Sequence, residues 1–203
     1  MESGSHRLSH FYHVFADGNW QTPVTEHLHH LDRSGLSAAL DSFGVGIVGS
    51  NPNRLEVIDF IDSRLQIDHL AEAESGWEQE TLDLMLERIE PDEFVLYAHT
   101  KSAANWSQVH DEWRKSMTHF MVHRWRDCVQ HLGDHDTVGC HRITPGDFWG
   151  GNYWWARSDW LRRMPTVPRE NRYQAEAWIG TVEGRRFDMN PGWPDPKIFV
   201  TEW

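Results

Sequence analysis

Short apolar runs of strand type alternate along this chain with stretches whose apolar residues recur at helical spacing. The runs lie at residues 11–16, 43–48, 94–98 and 137–143, with a shorter one at 66–70. The stretches between them predict helices near residues 22–35, 55–65, 74–89 and 107–132. This alternation predicts an α/β fold with a mostly parallel, doubly wound sheet, because strand–helix–strand crossovers are right-handed.

The chain has 203 residues and shows neither an internal repeat nor a linker. This length suits one well-filled core, so we expect residues 1–203 to form a single domain. We expect residues 1–10 to be a flexible N-terminus. Residues 181–203 include Pro191, Pro194 and Pro196, and we expect an irregular C-terminal tail there.

The balance of charge argues against one class of partner. There are 19 Lys and Arg residues against 31 Asp and Glu, a net charge of −12, which repels a nucleic-acid backbone. Cys128 and Cys140 are too few for a disulfide framework and are interpreted as free thiols. No apolar run approaches the roughly 20 residues of a membrane span. We expect a cytoplasmic protein without a membrane span, and its oligomeric state stays open.

Polar residues follow several of the predicted strands, where ligands of open α/β sheets bind. The sets are Ala16-Asp17-Gly18, Gly49-Ser50-Asn51 with Arg54 nearby, and His99-Thr100-Lys101. A hydroxyl, an imidazole and an ammonium at one strand end suit an anion such as a diphosphate, although a solvated loop has the same composition. An Asp-x-Asp motif, which could hold a divalent metal ion, does not follow this strand. Lys101, His99 and Arg54 are therefore the candidates for supplying positive charge to such an anion.

Residues 149–157 combine three Trp residues and a Tyr with a Gly pair and an amide. Indole faces stack on sugar rings or bases, and the Asn152 amide can bind hydroxyls. Strand alternation places Asn152 and Trp154 on one face and Tyr153 and Trp155 on the other. One face is expected to belong to the core and the other, with Asn152 and Trp154, to a binding site.

Carboxylates and histidines offer further candidates. Glu176 lies in a short aromatic helical segment and could take a proton from an acceptor hydroxyl, or it could be a solvated helix residue. Asp147 and Asp17 are weaker candidates for the same work. His119 and His123 have the spacing of a metal pair without the Glu of a metalloprotease motif, so we interpret them as surface residues. We predict no metal site.

The order of these motifs resembles a known group of enzymes. The segments are Phe11–Val14 with Trp20, Tyr97–Lys101, Trp113-Arg114 with Met117, Gly151–Ala156 and Glu176–Ile179. Together they resemble bacterial and viral glycosyltransferases similar to the rhamnan-synthesis F proteins, over residues 11 to 180. This sequence has an additional Gly150 and has Tyr153 where the group is expected to have Phe.

The resemblance implies a GT-A-like fold, a three-layer sandwich of the Rossmann type, and sugar transfer from a nucleotide-diphosphate donor to a glycan or other hydroxyl acceptor. The catalytic candidates are then Glu176, Lys101 and His99. The donor-binding candidates are Ala16, Asp17, Arg54, His99, Thr100 and Lys101. The sugar- and acceptor-binding candidates are Asp147, Gly151, Asn152, Trp154 and Trp155. The missing Asp-x-Asp leaves a requirement for Mn²⁺ or Mg²⁺ open.

Two other functions fit parts of the sequence. A non-catalytic carbohydrate-binding protein would explain the twelve Trp residues but not the strand–helix alternation. A metal-dependent hydrolase would use His–Asp pairs such as His110-Asp111 and His135-Asp136.

Overall fold

A seven-stranded sheet forms the centre of the computed structural model, which describes residues 6–101, 103–104 and 107–191. The strands of this sheet are β1 (Arg7–Phe15), β2 (Ser42–Val48), β3 (His69–Ala73), β4 (Glu93–His99), β5 (Thr137–Gly139), β8 (Trp154–Arg157) and β9 (Arg186–Asp188). They lie in the order β3-β2-β1-β4-β8-β5-β9. All adjacent pairs are parallel except the two that involve β8. The predicted α/β class with a mostly parallel sheet is confirmed.

Helices cover both faces of the sheet. They are α1 (Gln21–Arg33), α2 (Asn51–Asp62), α3 (Gln79–Arg88), α4 (Gln108–Thr118), α5 (Trp125–His131), α6 (Ser158–Leu161) and α7 (Tyr173–Trp178). A small two-stranded ribbon is formed by β6 (Arg142–Ile143) and β7 (Phe148–Trp149). Side chains from α1, α2 and α5 pack on one face of the sheet, and those from α3, α6 and α7 pack on the other. The result is three layers, as in other doubly wound folds.

Two expectations about the ends of the chain are wrong within the described residues. Residues 7–10, expected to be flexible, begin β1, because Leu8 is buried and the Ser9 hydroxyl donates to the carboxylate of Glu93 on β4. Residues 186–188, expected to be irregular, form β9, where Phe187 stacks on His131 at 3.5 Å between ring centroids. Residues 1–5 and 192–203 lie outside the described part of the chain.

Several predicted elements have different bounds. The helix predicted at 107–132 is broken by a π-helical segment, His119–His123, between α4 and α5. The strand predicted at 137–143 ends at Gly139, because His141 adopts a left-handed backbone with φ 61° and starts the ribbon. The helix predicted from Glu74 begins only at Gln79, which leaves Trp77 in a loop.

Two general expectations can be compared with the described residues. Cys128 and Cys140 are buried free thiols, as interpreted from the sequence. Within the described part of the chain, no helix combines the length and apolarity needed to cross a membrane.

Candidate functional site

A cleft of about 510 Å³ opens at the carboxyl ends of β1 and β4. This is the edge at which open α/β sheets bind ligands. Its lining combines aromatic, cationic, acidic and imidazole side chains. They are His13, Phe15, Trp77, Glu78, His99, Thr100, Lys101, His110, Trp113, Arg172, Tyr173 and Glu176, with Gly76 and Ala104.

Two histidines form the base of the cleft. His13 on β1 and His99 on β4 are paired in register, so their side chains leave the sheet on the same face. His13 Nδ1 lies 2.8 Å from the Thr81 hydroxyl, and His99 Nε2 lies 2.8 Å from the carbonyl oxygen of Gly151. Burial lowers the pKa of each imidazole to about 4. At pH 7 this favours the neutral form of both imidazoles and leaves Lys101 as the cation at this strand end.

Glu78 enters the cleft from the loop before α3. Its Oε2 accepts hydrogen bonds from the Tyr97 hydroxyl at 2.9 Å and from the Asn152 amide at 2.6 Å. Its Oε1 lies 3.6 Å from His99 Nδ1. The carboxylate is thus fixed by one oxygen and presents the other beside the imidazole.

Glu176 belongs to α7 and lies against Gly151, in the segment before β8. Its Oε1 accepts a hydrogen bond of 2.6 Å from the backbone N–H of Gly151. The carbonyl of the same Gly151 accepts from His99, so one glycine connects the acid to the imidazole. Gly151 has φ 83° and lies against Met117, a position where a side chain would be both strained and crowded.

Lys101 supplies an ammonium group at the end of β4. Its Nζ lies 4.3 Å from the centroid of the Trp113 ring, a cation–π contact that holds the charge at the cleft. The preceding Thr100 connects the loop to β1, since its hydroxyl accepts from the Phe15 N–H at 3.0 Å and its own N–H donates to the backbone carbonyl of His13.

The mouth of the cleft is aromatic and partly open to solvent. Trp77 and Tyr173 keep 44% and 63% of their surfaces exposed. The Arg172 guanidinium lies 4.7 Å from the centroid of the Tyr173 ring. Exposed aromatic faces beside a polar cleft are suited to stacking on a ring of a ligand.

The structure brings together part of the predicted site. His99, Thr100, Lys101 and Glu176 all line the cleft, although they come from two distant segments. Gly151 and Asn152 lie directly behind them, where Gly151 holds Glu176 and Asn152 holds Glu78. Their contacts with these carboxylates make them supports of the cleft wall.

The other predicted sugar-contacting residues lie farther from the cleft surface. Trp154 and Trp155 have no exposed area, and the Trp154 Nε1–H donates to the Asn152 side chain at 2.8 Å. The alternation of faces is as predicted, but both faces are core, since helices cover each side of β8. Asp147 is held by ion pairs with Arg142 and Arg186.

Ala16, Asp17 and Arg54 lie at the neighbouring ends of β1 and β2, outside the lining of the cleft. Asp17 Oδ1 accepts from the hydroxyl and the N–H of Ser50, and these bonds lower the pKa of Asp17. Arg54 is buried and donates to the Gly49 carbonyl and to Glu72. Its guanidinium therefore holds the turn after β2.

The His–Asp pairs considered for metal binding do not assemble. Among the described residues, no group of three or more His, Cys, Asp or Glu side chains is arranged to hold a metal ion. His110 is at the cleft, whereas His135 and Asp136 precede β5 at the opposite edge of the sheet. Asp111 forms ion pairs with Arg114 and Lys115.

Sequence reasoning missed Glu78, His13 and the exposed Trp77. Because Trp77 fitted the apolar stripe of the next helix, the predicted helix started too early and included the loop that contains Glu78. A signal was present in Gly76, because a glycine one turn before a helix marks a bend, and here its φ is 145°. The carboxyl end of β3 leads into this loop, on the same edge as the other strand ends.

The predicted GT-A-like fold is confirmed by solved structures that superpose on this chain. A 4-diphosphocytidyl-2C-methyl-D-erythritol synthase from Anaerococcus prevotii superposes with a TM-score of 0.56 at 9% identity, over 97% of this chain and 93% of its own. The mannosyltransferase PcManGT from Pyrobaculum calidifontis, in complex with GDP-Man and Mn²⁺, gives 0.51 at 15% identity, over 92% and 55%. Fragment 1–349 of TarS from S. aureus gives 0.51 at 11% identity, over 92% and 58%.

This chain thus spans little more than half the length of the TarS fragment and of the mannosyltransferase. A comparison with curated proteins finds no match in sequence. One family model does match, and it spans residues 11–170, which contain the central sheet except β9 and the first four residues of β1. The chain belongs to the family described as "Domain of unknown function (DUF8361)".

Proposed function

We propose that this protein transfers a sugar from a nucleotide-diphosphate donor to a hydroxyl of a glycan or other acceptor, in the synthesis of a polysaccharide or glycoconjugate. One observation carries the proposal: a single cleft at the strand ends brings the Lys101 ammonium and the Glu176 carboxylate around a volume of about 510 Å³. Sugar transfer needs these two kinds of group, one at the leaving oxygen and one at the attacking oxygen.

Lys101 acts on the leaving group. Transfer breaks the bond between the anomeric carbon and the β-phosphate oxygen, and this oxygen keeps the electron pair. An ammonium in a partly buried cleft stabilises that developing charge more than it would in water. The Trp113 ring keeps Nζ at the cleft, and the Thr100 loop anchors the backbone.

Glu176 acts on the acceptor. The acceptor oxygen forms the new bond to the anomeric carbon, and its proton passes to the carboxylate. The Gly151 N–H fixes Oε1, while Oε2 accepts no hydrogen bond from the described residues. That second oxygen is the one we assign to the proton.

The nucleoside is assigned to the adjoining ends of β1 and β2. Ala16 and Asp17 lie there, and an ionised Asp17 accepts hydrogen bonds from ribose hydroxyls. Arg54 supports this region through the Gly49 turn. We assign acceptor binding to the exposed Trp77 and Tyr173 at the mouth of the cleft, where a sugar ring of the acceptor stacks on their faces.

The test is binding first and turnover second. Thermal unfolding is followed with UDP, GDP, CDP and ADP, and one of them should raise Tm, since a ligand at 100 times its Kd stabilises by about 2.7 kcal/mol. The matching nucleotide-sugars are then assayed for release of the diphosphate. If no nucleoside diphosphate binds, the proposal fails.

Other outcomes identify other functions. Binding of oligosaccharides without any nucleotide indicates a carbohydrate-binding protein. Phosphoesterase activity with a bound metal indicates a hydrolase. Release of pyrophosphate from a nucleoside triphosphate indicates nucleotide transfer. This is assayed separately, because the structure of the A. prevotii synthase matches over 93% of its own chain.

A further inference from the structure

The indole of Trp113 connects the two groups that we assign to the reaction. The Lys101 ammonium lies over its ring, 4.3 Å from the centroid. Gly150 and Gly151 lie against the same indole, since a Cβ atom on either glycine would be 3.2 Å from one of its carbons. Gly151 in turn donates its N–H to the Glu176 carboxylate. The position of this one ring therefore affects both ends of the reaction.

His141 holds the indole at its nitrogen. The Trp113 Nε1–H donates to His141 Nδ1 at 3.0 Å. An indole nitrogen can only donate, so Nδ1 is the acceptor, and Nε2 of the neutral imidazole carries the hydrogen. Burial lowers the pKa of His141 to about 4, which favours this neutral form at pH 7. An imidazole protonated at Nδ1 could not accept the bond.

The imidazole is also fixed at its other nitrogen. The Ser116 hydroxyl, nearly one turn after Trp113 on α4, lies 3.2 Å from Nε2 and can accept its hydrogen. The side-chain amide of Asn190, just after β9, lies 3.1 Å from the same nitrogen. The backbone carbonyl of His141 accepts from the Gly150 N–H at 2.9 Å. This buried residue thus connects α4, the end of β9 and the segment before β8.

We propose that His141 is a positioning residue for sugar transfer: it holds the Trp113 indole, and the indole holds the Lys101 ammonium at the leaving diphosphate. His141 is not among the described residues that line the cleft, so it acts through Trp113. Its backbone has φ 61°, a region in which residues other than glycine concentrate at functional sites. The inference rests on the proposed function, because that function assigns Lys101 to the leaving group.

The first experiment follows Lys101 without any substrate. The full chain is treated with a small excess of acetic anhydride, and mass spectrometry measures the acetylation rate of each lysine. Lys115, which pairs with Asp111, is the internal reference. His141→Asn and Trp113→Phe should each raise the rate at Lys101 at least about threefold, because the aromatic ring under the ammonium is no longer held by the imidazole. Asn is chosen because it tolerates a left-handed backbone.

Trp125→Phe is the matched control for Trp113→Phe. The Trp125 Nε1–H donates to the Ser34 carbonyl at 3.3 Å, and the Arg126 guanidinium lies 4.2 Å from the centroid of the Trp125 ring. The control therefore loses an indole hydrogen bond and disturbs a cation–π contact outside the lining of the cleft. It should leave the acetylation rate of Lys101 unchanged.

The second experiment is a double-mutant cycle in turnover. His141→Asn should lower kcat by about 3- to 30-fold and leave the KM for the donor nearly unchanged, since the ammonium stabilises the charge that develops on the leaving group. In the Lys101→Ala background, the same substitution should lower kcat less than about twofold, because the group through which His141 acts is gone. A purely structural role would give the same factor in both backgrounds.

The possible failures are distinct. If neither His141→Asn nor Trp113→Phe changes the acetylation of Lys101, the positioning role is refuted and the proposed function stands. If His141→Asn lowers kcat equally in both backgrounds, His141 does not act through Lys101 and the inference is overturned. If no nucleoside diphosphate binds, the proposed function fails and the role of His141 in the reaction fails with it, even where the acetylation rates respond. Circular dichroism verifies each fold, and Trp113→Phe carries the test if His141→Asn does not fold.

Discussion

The backbone N–H of Gly151 donates a 2.6 Å hydrogen bond to the Glu176 carboxylate. Because the carbonyl of the same residue accepts from His99, a single glycine fixes two walls of the cleft at once. Its left-handed backbone, φ 83°, and its contact with Met117 explain why a larger residue does not fit. The precision of the site therefore depends on a residue without a side chain.

Gly151→Ala should lower the free energy of unfolding by about 1–3 kcal/mol, the cost of forcing a residue with a Cβ into this backbone region. Urea unfolding measures it. Gly133→Ala is the control, since Gly133 lacks the positive φ and its nearest neighbour is the Gln130 carbonyl of its own turn. Equal stability of the two variants would contradict the explanation.

Glu176→Gln should lower turnover of the nucleotide-sugar substrate by about 10²- to 10⁴-fold, the usual contribution of a general base. The shape of the side chain and an oxygen for the Gly151 N–H are retained, so diphosphate binding should stay within threefold. Steady-state kinetics with calorimetry measure both quantities. Unchanged turnover would remove Glu176 from the reaction.

Lys101→Ala should lower turnover by roughly 10²- to 10³-fold, because the leaving diphosphate loses a charged donor. Lys101→Arg, which keeps the charge and the stacking on Trp113, should recover part of the loss. The ratio of the two rates at saturating substrate is the measurement. A Lys101→Arg variant as slow as Lys101→Ala would show that charge alone is insufficient.

Acid should destabilise the protein between pH 6.5 and about 4. Burial lowers the pKa of His10 and His13 from 6.5 to about 4, so below pH 6.5 the unfolded chain binds protons that the folded chain cannot. Each contributes a slope of about 1.4 kcal/mol per pH unit, with stability highest above pH 6.5. Urea unfolding at pH 7, 6 and 5 measures the decline.

The matched variant is His10→Gln, which removes one of these imidazoles and should reduce the slope. Constant stability from pH 7 to 5 in the parent protein would show that these histidines do not resist protonation.

Trp77→Ala and Tyr173→Ala should raise KM for the acceptor severalfold, since base- and sugar-stacking contacts contribute about 1 kcal/mol or more. Because both residues lie exposed at the mouth of the cleft, the free energy of unfolding should change by less than about 0.5 kcal/mol. A comparison of KM for acceptor and donor locates the effect. A rise in donor KM alone would move these rings to the donor side.

The strands at the centre of the fold were predictable because their residues are apolar on both faces. β2 and β4 fall where the apolar runs placed them, and the polar residues that follow β4 do line the cleft. Glu78 was not predictable in the same way, since only the packing of the loop before α3 brings it to Tyr97 and Asn152. Local periodicity cannot describe a contact between residues 74 positions apart.

For Trp154 and Trp155, the sequence predicted the local geometry correctly but not the location in the protein. Their alternation was correct, yet a strand in the middle of a covered sheet buries both of its faces, and neighbours on either side decide this. Composition identified an aromatic segment, and only tertiary structure assigned it to the core.

The reversed direction of β8 explains how the Gly151-Asn152 turn reaches the ligand-binding edge. In an all-parallel arrangement, the residues that precede a strand arrive at the edge opposite to the one where its neighbours end. Because β8 runs against β4, with Trp154 beside Tyr97, its entry segment meets the exit of β4 at His99. Changes in the sequence of this loop can therefore reshape the ligand pocket at the start of β8 while strands β1 to β4 keep their arrangement.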